Sequence, residues 1–140
     1  MDLNAPVTTI MSTDLKTARA EDPVSVIDEH LRKYRIHHVP VVNDENEVVG
    51  IVSKSEYLYL LRGFTVNQTD SFRELAKLKA FKVNEIMESD VETVLDSATV
   101  KEVVAILAEN RFRSLPVVDG QSKLVGIVTT HDVEEMVNQL

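Results

Sequence analysis

The chain of 140 residues has no cysteine. Neither disulfides nor thiolate chemistry can therefore contribute, which suits a reducing compartment. Positive charge is scarce: 15 Lys and Arg stand against 23 Asp and Glu, leaving a net charge of −8. A surface that neutralises a phosphate backbone needs clustered Lys and Arg, so nucleic acid is not an expected partner. No run approaches the roughly 20 apolar residues of a membrane-spanning helix. The opening "MDLNAPVTTIMSTD" lacks a basic segment followed by an apolar one. The expectation is a cytoplasmic protein without membrane insertion. Catalytic signatures are missing too: there is no G-x-S-x-G elbow, P-loop or HExxH, so no catalytic residue is assigned and an enzyme is not expected. What the chain does have is apolar content, 44% of residues, enough to fill one core or two small units sharing one.

The strongest positive signal is an internal repeat. A shift of 76 residues sets Gly50 on Gly126, and also "VTTIM" on "VNEIM", Asp14 on Asp90 and Thr17 on Thr93. Without a gap it continues through Val24 on Val100, Leu31 on Leu107, Arg35 on Arg111, "PVV" on "PVV" and "VGIV" on "VGIV". The chain holds two copies of one supersecondary unit.

Each copy changes periodicity in the same order. "LKTARA" and "VETVLD" look extended. Val24, Ile27, Leu31 and Tyr34 then follow helical spacing, as do Val100, Val103, Leu107 and Asn110. "HVPVV" and "SLPVV" read as strands, with Pro near the start where no ladder donor is missed. A polar turn leads to "VVGIV" or "LVGIV", and a closing helix starts near Ser53 or Thr129. The order strand, helix, strand, strand, helix gives an α+β chain of two β-α-β-β-α copies. Each copy is too small to cover its own sheet, so the two are expected to pack about a pseudo-twofold axis. The boundaries are 1–62 for the first repeat, 63–82 for a connecting loop and helix, and 83–140 for the second repeat. In the connector, Asp70 could cap a helix with Phe72, Leu75 and Leu78 on one face. Arg73, Lys77, Lys79 and Lys82 read as its solvated side.

The doubled series "VTTIM" or "VNEIM", then "HHVPVV" or "RSLPVV", then Gly-Ile-Val-[Ser/Thr]-x-x-[Glu/Asp], resembles a tandem pair of CBS domains, the cystathionine β-synthase type regulatory repeat. The resemblance covers nearly the whole chain and implies a CBS pair, or Bateman module, expected here as a stand-alone CBS-domain protein. It further implies a cytoplasmic regulatory module that binds an adenine nucleotide (AMP, ADP or ATP) or S-adenosylmethionine between the repeats. A disc-like homodimer and a regulated protein partner would follow.

Residue by residue, the resemblance implies two ligand groups. The first is Asp22, Ile36, His37 and His38 with Thr129, His131 and Asp132. The second, weaker group is Ala98, Phe112, Arg113 and Ser114 with Ser53, Ser55 and Glu56. In the first, the two Asp132 oxygens suit the paired hydroxyls of a ribose. Thr129 stands at a helix start, where dipole and free amides favour an anion. Gly126 allows close backbone approach. Ile36 and Phe112 offer apolar surface to a purine. His37 and Arg113 match positions where basic residues meet phosphate. Asp22 and Ala98 stand where ligand-binding members often carry Thr, and Glu56 replaces Asp, so the pattern favours the group with Asp132.

The same residues have a purely structural reading. Thr129-x-x-Asp132 and Ser53-x-x-Glu56 both have the spacing of a helix capping box, and the Ser53 version fits that box better because it ends in Glu. Glu29, His30, His37 and His38 lie on different elements and do not form a metal motif, so no metal site is assigned. His30, in the place of Ile106, reads as a half-buried packing residue, and Met11 and Met87 read as core. A ligand-free dimerisation or protein-interaction module, or a fragment of a larger regulated enzyme or transporter, is the alternative. Tyr57, Leu58, Leu60, Leu61, Val133, Met136, Val137 and Leu140 would supply its apolar face.

Overall fold

The computed structural model describes residues 2–62, 76 and 78–140. Its elements are helix α1 (Ser25–Tyr34), strands β1 (His38–Val42) and β2 (Val48–Ser53), and helix α2 (Lys54–Arg62). After these come β3 (Val94–Leu95), α3 (Val100–Ala108), β4 (Ser114–Val118), β5 (Leu124–Thr129) and α4 (Thr130–Asn138). Short 3-10 turns at Val7–Thr9 and Val83–Glu85 lie in the leading segments of the two copies. Of the expected connector, Asp70, Phe72, Arg73, Leu75 and Lys77 lie outside the described residues; Leu78 is buried, and Lys79 and Lys82 are exposed.

The chain forms two units, and they do not follow the repeats as they run along the sequence. One unit comprises Met1–Leu15, Glu45–Glu47 and Val91–Leu140; the other comprises Lys16–Asp44 and Val48–Asp90. The leading segment of each copy thus packs with the helix and hairpin of the other. In the first unit, Val7 is fully buried in one cluster with Val103, Leu115, Val117 and Val128. In the second, Val83 is fully buried among Val24, Ile27, Val39 and Val52. Each such side chain contributes about 1.5–3 kcal/mol on burial.

The hairpins are built alike. In the second unit β1 pairs antiparallel with β2, Pro40 facing Ile51. In the first β4 pairs with β5, Pro116 facing Ile127. Each proline is third in its strand, in the strands HVPVV and SLPVV as read from the sequence. The position tolerates it because the partner's amide points away: Ile51 N–H donates to Glu88 O at 3.0 Å, and Ile127 N–H donates to Ser12 O at 3.0 Å. A missing donor at Pro therefore costs the ladder nothing. One register shift after Val41 and one after Val117 insert an extra residue in the facing strand.

The expected leading strands are shorter than read. "VETVLD" forms only the two-residue β3, parallel to β4. "LKTARA" makes a single bridge, Ala18 N–H to Pro40 O at 3.0 Å and Val42 N–H to Ala18 O at 2.9 Å. The neighbouring Thr17 carbonyl, on the side away from β1, accepts from the His30 Nε2–H at 3.0 Å. His30 is half-buried, as its packing role requires. Helix α3 starts with a full capping box: Glu102 N–H donates to Thr99 Oγ1 at 3.1 Å and Thr99 N–H to Glu102 Oε2 at 2.8 Å.

Two core expectations change. Tyr34 is 40% exposed at the end of α1, with the Lys16 ammonium 4.3 Å from its ring centroid. The apolar residues of the closing helices do not share one outward face. Tyr57 is buried, and Leu60, Leu61 and Val133 pack against the cores, while Leu58, Tyr59, Val137 and Leu140 are exposed. Tyr57 donates its phenolic hydrogen to Asp28 Oδ1, which also accepts from Arg32 Nε at 2.9 Å. Burial, and then Asp28, push the phenol above its ordinary range.

The matched glycines and methionines form pairs across the copies. A Cβ at Gly126 would stand 2.4 Å from Met11 Sδ, and one at Gly50 2.4 Å from Met87 Sδ. Gly126→Ala is expected to lower the free energy of unfolding by about 1–3 kcal/mol through overpacking. Urea unfolding of Gly126→Ala in wild-type and Met11→Ala backgrounds checks the contact, since the glycine substitution should cost markedly less once the thioether is gone.

Candidate ligand-binding junctions

The strand-to-helix junctions carry most of the polar side chains singled out from the sequence. In the first unit β5 ends at Thr129, whose φ of −123° and ψ of 166° turn the chain into α4. Asp132 N–H donates to Thr129 Oγ1 at 3.2 Å, and Thr129 N–H donates to Asp132 Oδ2 at 2.8 Å. The Thr129 hydroxyl lies 3.1 Å from the same Oδ2 and can donate to it. The capping box is complete with Asp in the acid position. Both bonds that the carboxylate accepts fall on Oδ2, and Asp132 Oδ1 takes no hydrogen bond from the described residues.

Thr130 N–H donates to Arg113 O at 3.0 Å, tying the helix start to the residue that leads into β4. Ser114 is buried opposite Thr129, while Arg113 is exposed. Phe112 is half-buried against the core, with the Arg111 guanidinium 5.4 Å from its ring centroid. His131 is exposed, its Nε2 3.5 Å from Glu135 Oε1. Ala98 lies half-buried, and its carbonyl accepts from Val7 N–H at 2.7 Å.

The second unit repeats the frame with other side chains. Glu56 N–H donates to Ser53 Oγ at 3.2 Å, and the Ser53 and Ser55 hydroxyls are 3.0 Å apart. Lys54 N–H donates to His37 O at 2.8 Å, the counterpart of the Thr130–Arg113 bond. His37 is exposed, whereas Ile36 and His38 are half-buried. Asp22 closes a local turn: its Oδ2 accepts from Arg19 N–H at 2.8 Å. That bond already engages the carboxylate whose charge would oppose a phosphate.

The structure therefore brings the strand-leading residues next to the helix start of their own unit. His37 and His38 lie beside Ser53 and Lys54, and Arg113 and Ser114 beside Thr129 and Thr130. Each of the two groups implied by the resemblance draws on both units. No cluster of three or more potential metal ligands occurs among the described residues, and no described helix is long and apolar enough to cross a membrane.

Two residues at the junctions were not singled out in the sequence. Ser12 exchanges two backbone hydrogen bonds with Ile127, and Glu88 does the same with Ile51, at 2.8 and 3.0 Å in each case. The repeat does carry the signal, because the 76-residue shift sets Ser12 on Glu88 directly after the matched methionines. Glu88 lies close enough to act electrostatically on Glu56. Burial pushes the Glu56 carboxyl above its ordinary range, the Ser53 hydroxyl opposes this, and the Glu88 charge adds to it.

A model of the CBS domain family matches residues 7–63 and 83–138. Among curated relatives, the inosine-5′-monophosphate dehydrogenase of Thermoplasma acidophilum is 30% identical over 89% of this chain and 22% of its own length. The chain thus spans about a fifth of such dehydrogenases. Among solved structures, CBSX2 in complex with AMP superposes with a TM-score of 0.78 at 30% identity, covering 96% of this chain and 97% of that one. The CBS domain pair of protein MJ0100, in complex with 5′-methylthioadenosine and S-adenosylmethionine, gives a TM-score of 0.77 at 25% identity, covering 96% and 97%.

The raised pKa of Glu56 fixes a sign. Below the ordinary glutamate range the carboxyl is neutral in both folded and unfolded chains and costs nothing. As pH rises toward the folded-state pKa the unfolded chain loses its proton first, so stability falls. Glu56→Gln should therefore raise the melting temperature at neutral pH, and the gain should vanish below the ordinary glutamate range. Thermal unfolding of both proteins across pH checks this; a pH-independent difference would reject it.

Proposed function

The chain belongs to the CBS domain family, and on that premise we propose that it is a regulatory module that senses an adenosyl compound. AMP, ADP, ATP and S-adenosylmethionine share the ribose and base that such a site reads. The chain itself performs no chemistry in this reading; it passes the ligand's presence to a protein partner, as a cytoplasmic homodimer. The observation that carries the reading is the Thr129–Asp132 junction, in a chain similar to one crystallised with AMP.

Physically, the junction suits a ribose. The capping bonds hold Asp132 in place through Oδ2, while Oδ1 is left to accept from sugar hydroxyls. The first-turn amides of α4 and the helix dipole favour a nearby anion. His131 and Thr129 add polar contacts, and Asp22, Ile36, His37 and His38 complete the group that the family pattern assigns to the same ligand. The second group, Ala98, Phe112, Arg113 and Ser114 with Ser53, Ser55 and Glu56, would take a further adenosyl ligand. Regulation follows only from differential affinity: a ligand that binds two arrangements of the module equally shifts neither.

The exposed Leu58, Tyr59, Val137 and Leu140 favour a second reading, a ligand-free dimerisation or interaction module whose junctions are only helix caps. One residue separates the two. Thermal unfolding with and without millimolar AMP, ADP, ATP or S-adenosylmethionine, with GTP as control, should show an adenosyl compound raising the midpoint by several degrees. A ligand at a hundred times its Kd adds about 2.7 kcal/mol. Asp132→Ala should abolish that rise while costing only about 1 kcal/mol of capping stability. If no adenosyl compound shifts the wild-type midpoint, the caps are caps and the interaction reading stands.

A further inference from the structure

The two junctions provide an internal comparison, because the same backbone frame carries different charges. In the first unit the residue bridged to the middle of the closing strand is Ser12; in the second it is Glu88. The bridges match bond for bond, so the repeat-related positions differ in side chain and not in placement. Glu88 is exposed, and its Oε1 accepts from Asp90 N–H at 3.0 Å, which holds the carboxylate locally. Glu56, half-buried at the first turn of α2, is the other acid of that junction. On the bridged frame itself, the Ser53–Glu56 junction therefore carries the carboxylates of Glu56 and Glu88 where the Thr129–Asp132 junction carries that of Asp132 and the Ser12 hydroxyl, Asp22 of the latter group lying off this frame.

From this comparison, which rests on the adenosyl-sensing reading above, we infer that Glu88 is a charge-selectivity residue that disfavours phosphorylated adenosyl compounds at the Ser53–Glu56 junction relative to phosphate-free ones. A ribose and a purine are neutral and take little notice of Glu88. A 5′-phosphate is anionic at neutral pH, and a second carboxylate, on the residue bridged to Ile51 two positions before Ser53, offsets the attraction of the helix dipole for it. A thioether or a sulfonium in the same place meets no repulsion. Lys54, exposed at the start of α2, and Arg113, which the family pattern groups with this junction, attract any anion. They do so whether residue 88 is acidic or not, so the effect of Glu88 survives as a change in the ratio of two affinities.

Titration calorimetry at neutral pH with AMP and 5′-methylthioadenosine tests the inference on the full chain and on Glu88→Gln, Glu88→Ser and Ser12→Glu. Either Glu88 substitution should tighten AMP at one site by about tenfold and leave 5′-methylthioadenosine nearly unchanged. Ser12→Glu should shift the ratio in the opposite sense at the other site. Glu88→Gln keeps the shape of the side chain, so a gain there cannot come from relieved crowding. An AMP to 5′-methylthioadenosine ratio that none of the three substitutions moves overturns the charge assignment alone, provided Asp132→Ala still weakens binding. If neither compound binds the wild-type chain, the adenosyl reading falls and this inference falls with it.

Discussion

Each glycine of the repeated Gly-Ile-Val stretch has a methionine sulfur where its own side chain would begin, and that contact is made by the other copy. Met11 lies on Gly126 and Met87 on Gly50, while the next residues, Ser12 and Glu88, bridge to Ile127 and Ile51. The consequence is that neither copy completes its core alone. Val7 leads the first copy in sequence yet fills the core of the second, and Val83 does the converse. A hairpin with a helix on either side has too little apolar surface to be stable by itself. Exchange of the leading segments makes each unit depend on residues far away in the chain.

Much of this fold was legible because a repeat supplies its own control. The helical spacing of Val24, Ile27 and Leu31, seen again in Val100, Val103 and Leu107, marks side chains that are all buried. The exchange itself was not legible, since an ungapped repeat looks the same whether each leading segment packs with its own copy or with the other. Tyr34 was misplaced for a related reason: periodicity marks a face, but the last turn of a short helix overhangs the core, and there a cation–π contact replaces burial. At the junctions the residue types and the capping spacing were readable, while the relative completeness of the two boxes was not. Glu is the preferred acid of a capping box, yet the reciprocal pair of bonds is resolved at Thr129–Asp132. The shorter Asp reaches the Thr129 amide because the extended φ and ψ of Thr129 bring that amide toward the first turn.

Under the adenosyl-sensing proposal, capping and ligand binding are not rival uses of Asp132. A carboxylate that must accept from two ribose hydroxyls loses rotamer freedom when it does so, and a residue already fixed by its cap has lost that freedom on folding. The cap engages Oδ2 and orients Oδ1, so the hydrogen bonds that stabilise the helix also pre-organise the acceptor. The backbone bond from Thr130 to Arg113 extends the same logic to the strand-leading residues.

The differences between the copies are concentrated where the backbone is most alike. The 76-residue shift sets Glu56 on Asp132, Ser53 on Thr129, Ser55 on His131 and Ser12 on Glu88, each pair of positions having the same backbone hydrogen-bond frame in its own unit. The second unit adds the Tyr57–Asp28–Arg32 network, whose counterparts in the first are Val133, Val104 and Ala108. That network fixes α2, the helix that carries Glu56, to α1 through charge-assisted bonds, whereas α4 is held through the apolar contact of Val133. A half-buried acid with a raised pKa is costly to ionise. Two junctions on one backbone frame are in this way given different electrostatics, and under the adenosyl-sensing proposal an anionic ligand and a neutral one would meet them with different affinities.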